Sequence, residues 1–286
     1  MNRIKRLAVT MALAVLSSAM LFASGKWKTV DMKVESIGSL EISSIFEVAL
    51  EKSNDCRIVM KLPDDYDKYL QFSASNGKVV LGMDSKKITR KAKKIFKKDA
   101  PVVKIYAPSF NRLKLSGTVK MKLIGDISVN DLSIDLSEAS ELEGGNLRAE
   151  NIETEISGAA DFTDVKIRAR RMKLEASGAS FSKFALMVDD MDAEVSDAAD
   201  VVFESADNYS GKTMKIDVSG SGNLKAVDYA VENVEADLSG ASDAVIRPLK
   251  ILDVKTSGSS SLRYKKSPNL SVRNLDISSA SSVKSI

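Results

Sequence analysis

Leu174-Glu175-Ala176-Ser177-Gly178-Ala179-Ser180 is one copy of a block that recurs through most of the chain. Its first three residues alternate apolar, charged, apolar, the period-two signature of a strand, and they end abruptly at small residues that favour a turn. The anchoring serine recurs as Ser116, Ser137, Ser157, Ser177, Ser196, Ser219, Ser239, Ser257 and Ser278, at intervals near 20 residues. The next position is Gly at 117, 158, 178, 220, 240 and 258 and otherwise Glu138, Asp197 or Ser279, a set that predicts backbone turning through positive φ. The one after is always small, from Thr118 to Ala280.

A helical repeat would need apolar residues three and four apart over ten or more positions, and these blocks stop after about five. A coil of about 20 residues interrupted by one fixed turn fits an all-β solenoid, a parallel β-helix whose coils lie about 4.8 Å apart and whose like residues form rows. Nine such coils make a rod of roughly 40 Å. Stacked serines would then form a hydroxyl ladder, and nine copies in a chain without a single His argue against a catalytic serine. Residues 113–286 read as regular repeats.

Residues 26–112 read as irregular first coils and a cap. Leu40 to Val48 repeats the block in degenerate form and marks the start of the solenoid. Alternating runs at Arg57 to Leu62, Leu70 to Ser73 and Lys78 to Met83 predict strands, the last two joined by an Asn76-Gly77 hairpin turn. Covering the first coil protects its open edge. An insertion at 86–98 holds eight basic residues, with Ile88, Ala92, Ile95 and Phe96 at helical spacing; it reads as a short basic helix able to touch an anionic membrane or glycan surface.

Composition narrows the chemistry. The absence of His removes the commonest general base, and a single Cys56 excludes an intrachain disulfide. Cys56 itself, at the head of Cys56-Arg57-Ile58-Val59-Met60, reads as a buried small hydrophobe. Residues 1–25 read as an export signal: Arg3, Lys5 and Arg6 precede an apolar run from Leu7 to Leu21, followed by Ala23, Ser24 and Gly25. That run is short for a membrane span, so no transmembrane segment is expected after cleavage. Its three basic residues account for the whole formal charge of +3, which leaves the remainder near neutral and speaks against nucleic-acid binding. The expected location is the periplasm, the outer envelope or the extracellular space.

The serine-glycine-small repeat, the leading strand Ile37 to Leu50, the strand Val102-Val103-Lys104-Ile105-Tyr106-Ala107-Pro108 and the following Leu113-Lys114-Leu115-Ser116-Gly117 together resemble the auto-transporter adhesin, head GIN domain family. The resemblance spans nearly all of the chain beyond residue 25 and departs from the pattern at 86–98. It implies a secreted or envelope-associated right-handed β-helix with an adhesive role, and it brings no catalytic residues.

The candidate site is a surface. The position two residues before the serine is acidic in seven coils, Asp135, Glu155, Glu175, Glu194, Asp217, Asp237 and Asp276, flanked by Lys114 and Lys255. Stacked carboxylates about 5 Å apart repel by roughly 1 kcal/mol in water, so compensation is expected from the next outward row, where Arg112, Lys173 and Lys215 alternate with Glu153, Asp192 and Glu235. Glu141, Asp161, Asp200 and Asp243 add acid beyond the turn. Such a face either keeps the rod soluble and discourages lateral strand association or binds a glycan, a cell-surface protein or a divalent cation such as calcium, since hard cations take several carboxylate oxygens at once. No cofactor is otherwise indicated. The rival expectation is a polysaccharide lyase or hydrolase, for which Asp161, Asp164, Arg168, Arg170 and Arg171 are the nearest grouping of acids and arginines.

Overall fold

The residue after each anchoring serine adopts positive φ, whether it is glycine (Gly117 82°, Gly158 73°, Gly178 74°) or not (Glu138 62°, Asp197 58°, Ser279 62°). The computed structural model describes residues 20–24, 27–63, 67–84, 86–90 and 100–286. The export signal expected over 1–25 therefore lies, apart from 20–24, outside the described residues, and so does most of the basic segment 86–98.

The turns stack without interrupting the parallel hydrogen-bond ladder. Ser137 N donates to Leu115 O at 3.0 Å and Ala139 N to Gly117 O at 2.9 Å, and the same two bonds recur coil after coil up to Ser278 N to Thr256 O and Ala280 N to Gly258 O, both 2.9 Å. Directly before the turn, Arg112–Leu115, Ser133–Leu136 and the last four residues of Asn146–Ile156, Asp161–Ala176 and Phe181–Val195 pair in register, and the stack continues through Ser271–Ile277. The result is a parallel β-solenoid of about 20-residue coils with its like residues in rows.

Alternation follows from the pleat, because every second side chain points inward. In Asp161–Ala176 the inward positions Phe162, Val165, Ile167, Met172 and Leu174 are buried while their neighbours reach solvent. Asp164, at φ 57°, sits where the register shifts between Phe162 and Val165, a bulge that rebalances the inward count of that coil. Stacking coils also stack their contents. Phe162, Phe184, Phe203 and Tyr229 form an inner aromatic column with ring centroids 4.9, 6.2 and 6.5 Å apart. Tyr229 ends it by donating its hydroxyl to Val188 O at 2.5 Å, and burial pushes its phenol well above the usual range.

Two details correct the expectation from sequence. The anchoring serines do not bond one another: where their hydroxyls are satisfied they donate to the carbonyl of the coil before, Ser137 to Leu115 O at 3.4 Å and Ser278 to Thr256 O at 3.2 Å. Cys56 is half-buried, packed beside the core and outside the strand Arg57–Pro63.

Among the described residues, the buried hydroxyls of Thr154, Ser180 and Ser182 have no hydrogen-bond partner. Thr154 lies between Ile134 and Leu174 in an otherwise apolar row. Leaving such a group unpaired costs about 1–3 kcal/mol, so Thr154→Val, which keeps the shape, is expected to raise the unfolding free energy by about 1 kcal/mol. Urea denaturation checks this, and a destabilised variant would show that the hydroxyl is satisfied in solution.

At the N-terminal end the first rung is Ser39–Ile42, a turn in which Ser44 takes φ 82°, and Glu47–Lys52. It stacks directly against the rung of Arg112–Leu115 and Lys120–Ile124, although some 60 residues separate them in sequence. The intervening chain folds back over the exposed side of that first rung. Val102–Ala107 pairs in parallel with Glu47–Lys52, and Arg57–Pro63 and Trp27–Lys33 add antiparallel strands beyond it. Met20–Ser24 pairs antiparallel with Trp27–Lys33. Leu70–Ser75 and Lys78–Met83 form the hairpin whose turn residues Asn76 and Gly77 have φ 50° and 74°, and Lys78–Met83 lies parallel to Ser39–Ile42.

Candidate functional site: charged rows and an axial groove

Register places the acidic row as a single file. Glu41, Lys114, Asp135, Glu155, Glu175, Glu194, Asp217, Asp237, Lys255 and Asp276 are successive partners on the outer surface of the wall that enters the turn. Its ends are neutralised within the row, Asp135 by Lys114 and Asp237 by Lys255 at 3.4 Å, and Glu175 is paired sideways with Lys173 at 2.5 Å. Glu155, Glu194 and Asp217 form no ion pair among the described residues. Spaced about 4.8 Å apart along a rod, the carboxylates run parallel and do not converge. Among the described residues no group of three or more acidic or cysteine side chains is placed to hold a metal ion, so the calcium expectation gains no coordinating cage.

The next outward row is Arg112, Ser133, Glu153, Lys173, Asp192, Lys215 and Glu235, again in register. Two residues earlier come Asp131, Asn151, Arg171, Asp190 and Thr213. Between these two rows the wall is concave. They rim a groove of about 580 Å³ that runs along the solenoid axis across six coils, from Asn111 to Lys215; the strand positions at its base are Leu132, Ile152, Met172 and Met191, whose side chains turn inward and are buried in the core. One rim is hydrogen-bonded in two stretches: Asn151 donates to Asp131 at 2.7 Å and Arg171 to Asn151 at 3.5 Å, and Thr213 donates to Asp190 at 2.7 Å.

Beyond the groove, at the corner of each coil, lies a further row that the sequence reading missed: Glu150, Arg170, Asp189, Lys212, Glu232 and Lys250, each seven residues before a serine. Its charges alternate and pair between coils, Glu150 with Arg170 at 2.9 Å, Asp189 with Lys212 at 2.7 Å and Glu232 with Lys250 at 2.8 Å. Asp189 also accepts the Tyr209 hydroxyl. Lys212 and then that phenol hold its carboxyl below the usual range, while the same bond pushes Tyr209 up to about 12.

The residues of the rival enzyme grouping are not brought together. Asp161 stacks between Glu141 and Phe181 on the wall leaving the turn, where partial burial and then Glu141 push its carboxyl upward. Asp164 sits at the bulge beside Gly145 and Lys183, Arg168 faces outward between Arg148 and Met187, Arg170 belongs to the paired corner row and Arg171 to the groove. No acid pair flanks a common cleft among them.

Fold and surface together define a β-solenoid whose like side chains form rows along its length. The chain belongs to the family described as "Putative auto-transporter adhesin, head GIN domain", whose model matches residues 38–207 and 162–268. No curated protein matches the sequence. Among solved structures it is similar to a putative adhesin from Parabacteroides distasonis (TM-score 0.67, 14% identity) and one from Parabacteroides merdae (0.63, 14%). It is also similar to a putative lipid binding protein from Parabacteroides distasonis (0.61, 16%). Each alignment covers 92% of this chain and 98% of the other, and at such identities the likeness is one of fold.

Proposed function

We propose that this is an exported surface-binding module that engages a glycan or a cell-surface protein through the wall entering the turn, with the acidic row Asp135, Glu155, Glu175, Glu194, Asp217 and Asp237 and the adjoining groove as its contact surface. The observation that carries this reading is the groove. A concavity held open over six consecutive coils, rimmed by Asp131, Glu153, Arg171, Lys173, Asp190, Asp192 and Lys215, is an elongated site on a rigid strand scaffold. Family membership supports adhesion and an exported location, and the near-neutral charge beyond residue 25 favours specific contacts over general attraction to polyanions.

Screening the purified protein against glycans and extracellular matrix proteins tests the proposal. At least one ligand is expected to bind, and the triple variant Arg171→Ala/Lys173→Ala/Lys215→Ala, or Glu155→Gln/Glu194→Gln/Asp217→Asn, is expected to weaken it by about tenfold or more, the effect of losing roughly 1.4 kcal/mol. All six side chains point to solvent, so neither variant should lower thermal stability appreciably. Absence of any ligand, or binding indifferent to both variants, would overturn the assignment.

A further inference from the structure

From Asn151 to Glu235 each coil shows the groove a single sign of charge, from both rims at Arg171/Lys173 and Asp190/Asp192 and from one rim at the others. Asn151 and Glu153 make one coil acidic, Arg171 and Lys173 make the next basic, Asp190 and Asp192 acidic again, and Thr213 and Lys215 basic; Asn233 and Glu235 continue the series as acidic on the coil beyond. Over these five coils the sign alternates at each step of about 4.8 Å, and like charges recur about every 9.6 Å; the coil before them, with Asp131 and Ser133, is acidic like the Glu153 coil beside it.

Mutual neutralisation would be the plain structural reason for such alternation, and the corner row shows what that looks like. There Glu150 and Arg170, Asp189 and Lys212, and Glu232 and Lys250 face each other across one coil spacing and close to 2.7–2.9 Å. In the groove row the same spacing and the same alternation produce no such pairs. Glu153, Asp192, Lys215 and Glu235 form no ion pair or hydrogen bond among the described residues, and Lys173 turns sideways to Glu175. The groove row thus leaves Glu153, Asp192, Lys215 and Glu235 directed at solvent, and Lys173 held beside it by Glu175.

On the reading that this wall is the binding surface, we infer that the groove takes a linear polysaccharide lying along the solenoid axis, one sugar ring per coil, with ammonium and carboxylate groups on alternate sugars. Commensurability selects the class. An extended β-linked hexose chain advances by close to one coil spacing per ring, so its substituents stay near register with the coils over the alternating stretch from Asn151 to Lys215. An extended peptide presents same-face side chains about 6.7 Å apart and falls out of step within two coils. A polymer of a single charge sign meets repulsion at every second coil, which is how like charges placed opposite one another exclude a wrong partner.

Three length-matched polymers test this: hyaluronan, with a carboxylate on every second sugar and neutral N-acetyl groups between; the same polymer after de-N-acetylation, which places an ammonium at each N-acetyl site; and polygalacturonate, anionic at every ring. The de-N-acetylated polymer is expected to bind roughly tenfold or more tighter than either other. The exchange variant Lys173→Asp/Asp192→Lys keeps the net charge and breaks the alternation, and it is expected to abolish the preference while melting as the parent does. Equal binding of all three polymers, or a preference that survives the exchange, overturns the inference. Failure of all three with groove-dependent binding of another ligand in the screen overturns the ligand class alone, whereas failure of the whole screen removes the binding surface as well.

Discussion

Phe184→Ala is expected to lower the unfolding free energy by about 3–5 kcal/mol, the range for deleting a fully enclosed aromatic side chain and leaving a cavity. Phe184 is 0% exposed and touches an aromatic ring on either side along the axis, Phe162 edge-on at 4.9 Å and Phe203 stacked at 6.2 Å. Each such ring pair adds about 0.5–1.5 kcal/mol beyond burial, so the loss should fall toward the upper part of that range. The solenoid cannot close the gap easily, because coil spacing is fixed by the backbone ladder on every wall. Phe181, three residues earlier, supplies the control: it points outward and is 39% exposed, and Phe181→Ala should change stability by no more than about 0.5 kcal/mol. Urea denaturation followed by circular dichroism reads both. A loss below about 1 kcal/mol at Phe184 would mean that the column is not a packed core.

Because each coil touches only its neighbours, a defect at Phe184 is also expected to act locally, loosening the coils around it before the rest. This is the energetic form of the repeat that Ser-Gly-Ala-Ser announces in the sequence. Glu138, Asp197 and Ser279 show how far that announcement reached: non-glycine residues in a glycine column predicted positive φ, and all three have it. The strands of the N-terminal region and the Asn76-Gly77 turn were equally legible, since alternation and turn chemistry are local properties. What alternation does not encode is how coils are ordered in space. A cap over the first coil could be expected from the need to cover its open edge, but the rung at Ser39–Lys52 meets that of Arg112–Ile124 because hydrogen-bonded edges match, and no local pattern states that Val102–Ala107 is the strand that pairs on the first rung's free side.

The groove was hidden for a similar reason. The acidic row and its compensating neighbour could be read by counting back from each serine, but concavity comes from the bend of the wall, where Glu150 and Arg170 fall between paired register positions on the strands Asn146–Ile156 and Asp161–Ala176. Counting seven residues back would have revealed the alternating corner row. Telling its closed ion pairs from the open charges of the groove row required side-chain positions. That difference is not large in stability, since exposed pairs are worth about 0–1 kcal/mol each. Its consequence is for recognition: charges already engaged at the corner are poor partners for a ligand, and those left unpaired in the groove remain available.

Gly178→Ala is expected to cost about 2–4 kcal/mol, well above an ordinary glycine substitution. An L side chain at φ 74° carries a penalty of roughly 1–2 kcal/mol, and here the added carbon also meets the coil before it. It would stand 2.5 Å from Gly158 O, 2.9 Å from Gly158 N and 3.1 Å from its Cα, all backbone atoms fixed by the ladder bond from Ala179 N to Gly158 O at 2.7 Å. Relief requires the turns to part, which weakens that bond and those beside it. Gly38 gives the contrast, for a carbon there comes no nearer than 3.8 Å to any atom and its φ is unremarkable, so Gly38→Ala should be neutral within about 0.5 kcal/mol. Asp197 gives the converse. It occupies the position stacked on Gly178, holds φ 58° and accepts a hydrogen bond from Gly178 N at 3.2 Å. Asp197→Gly trades relief of that backbone strain against loss of a bond worth about 0.5–1.5 kcal/mol, so the two nearly cancel. Thermal or urea unfolding of the three variants checks the set. Gly178→Ala behaving like Gly38→Ala would show that the turn at 178 accommodates a side chain as the turns at Glu138, Asp197 and Ser279 do, where the ladder bonds to Gly117, Gly178 and Gly258 stay at 2.8–2.9 Å.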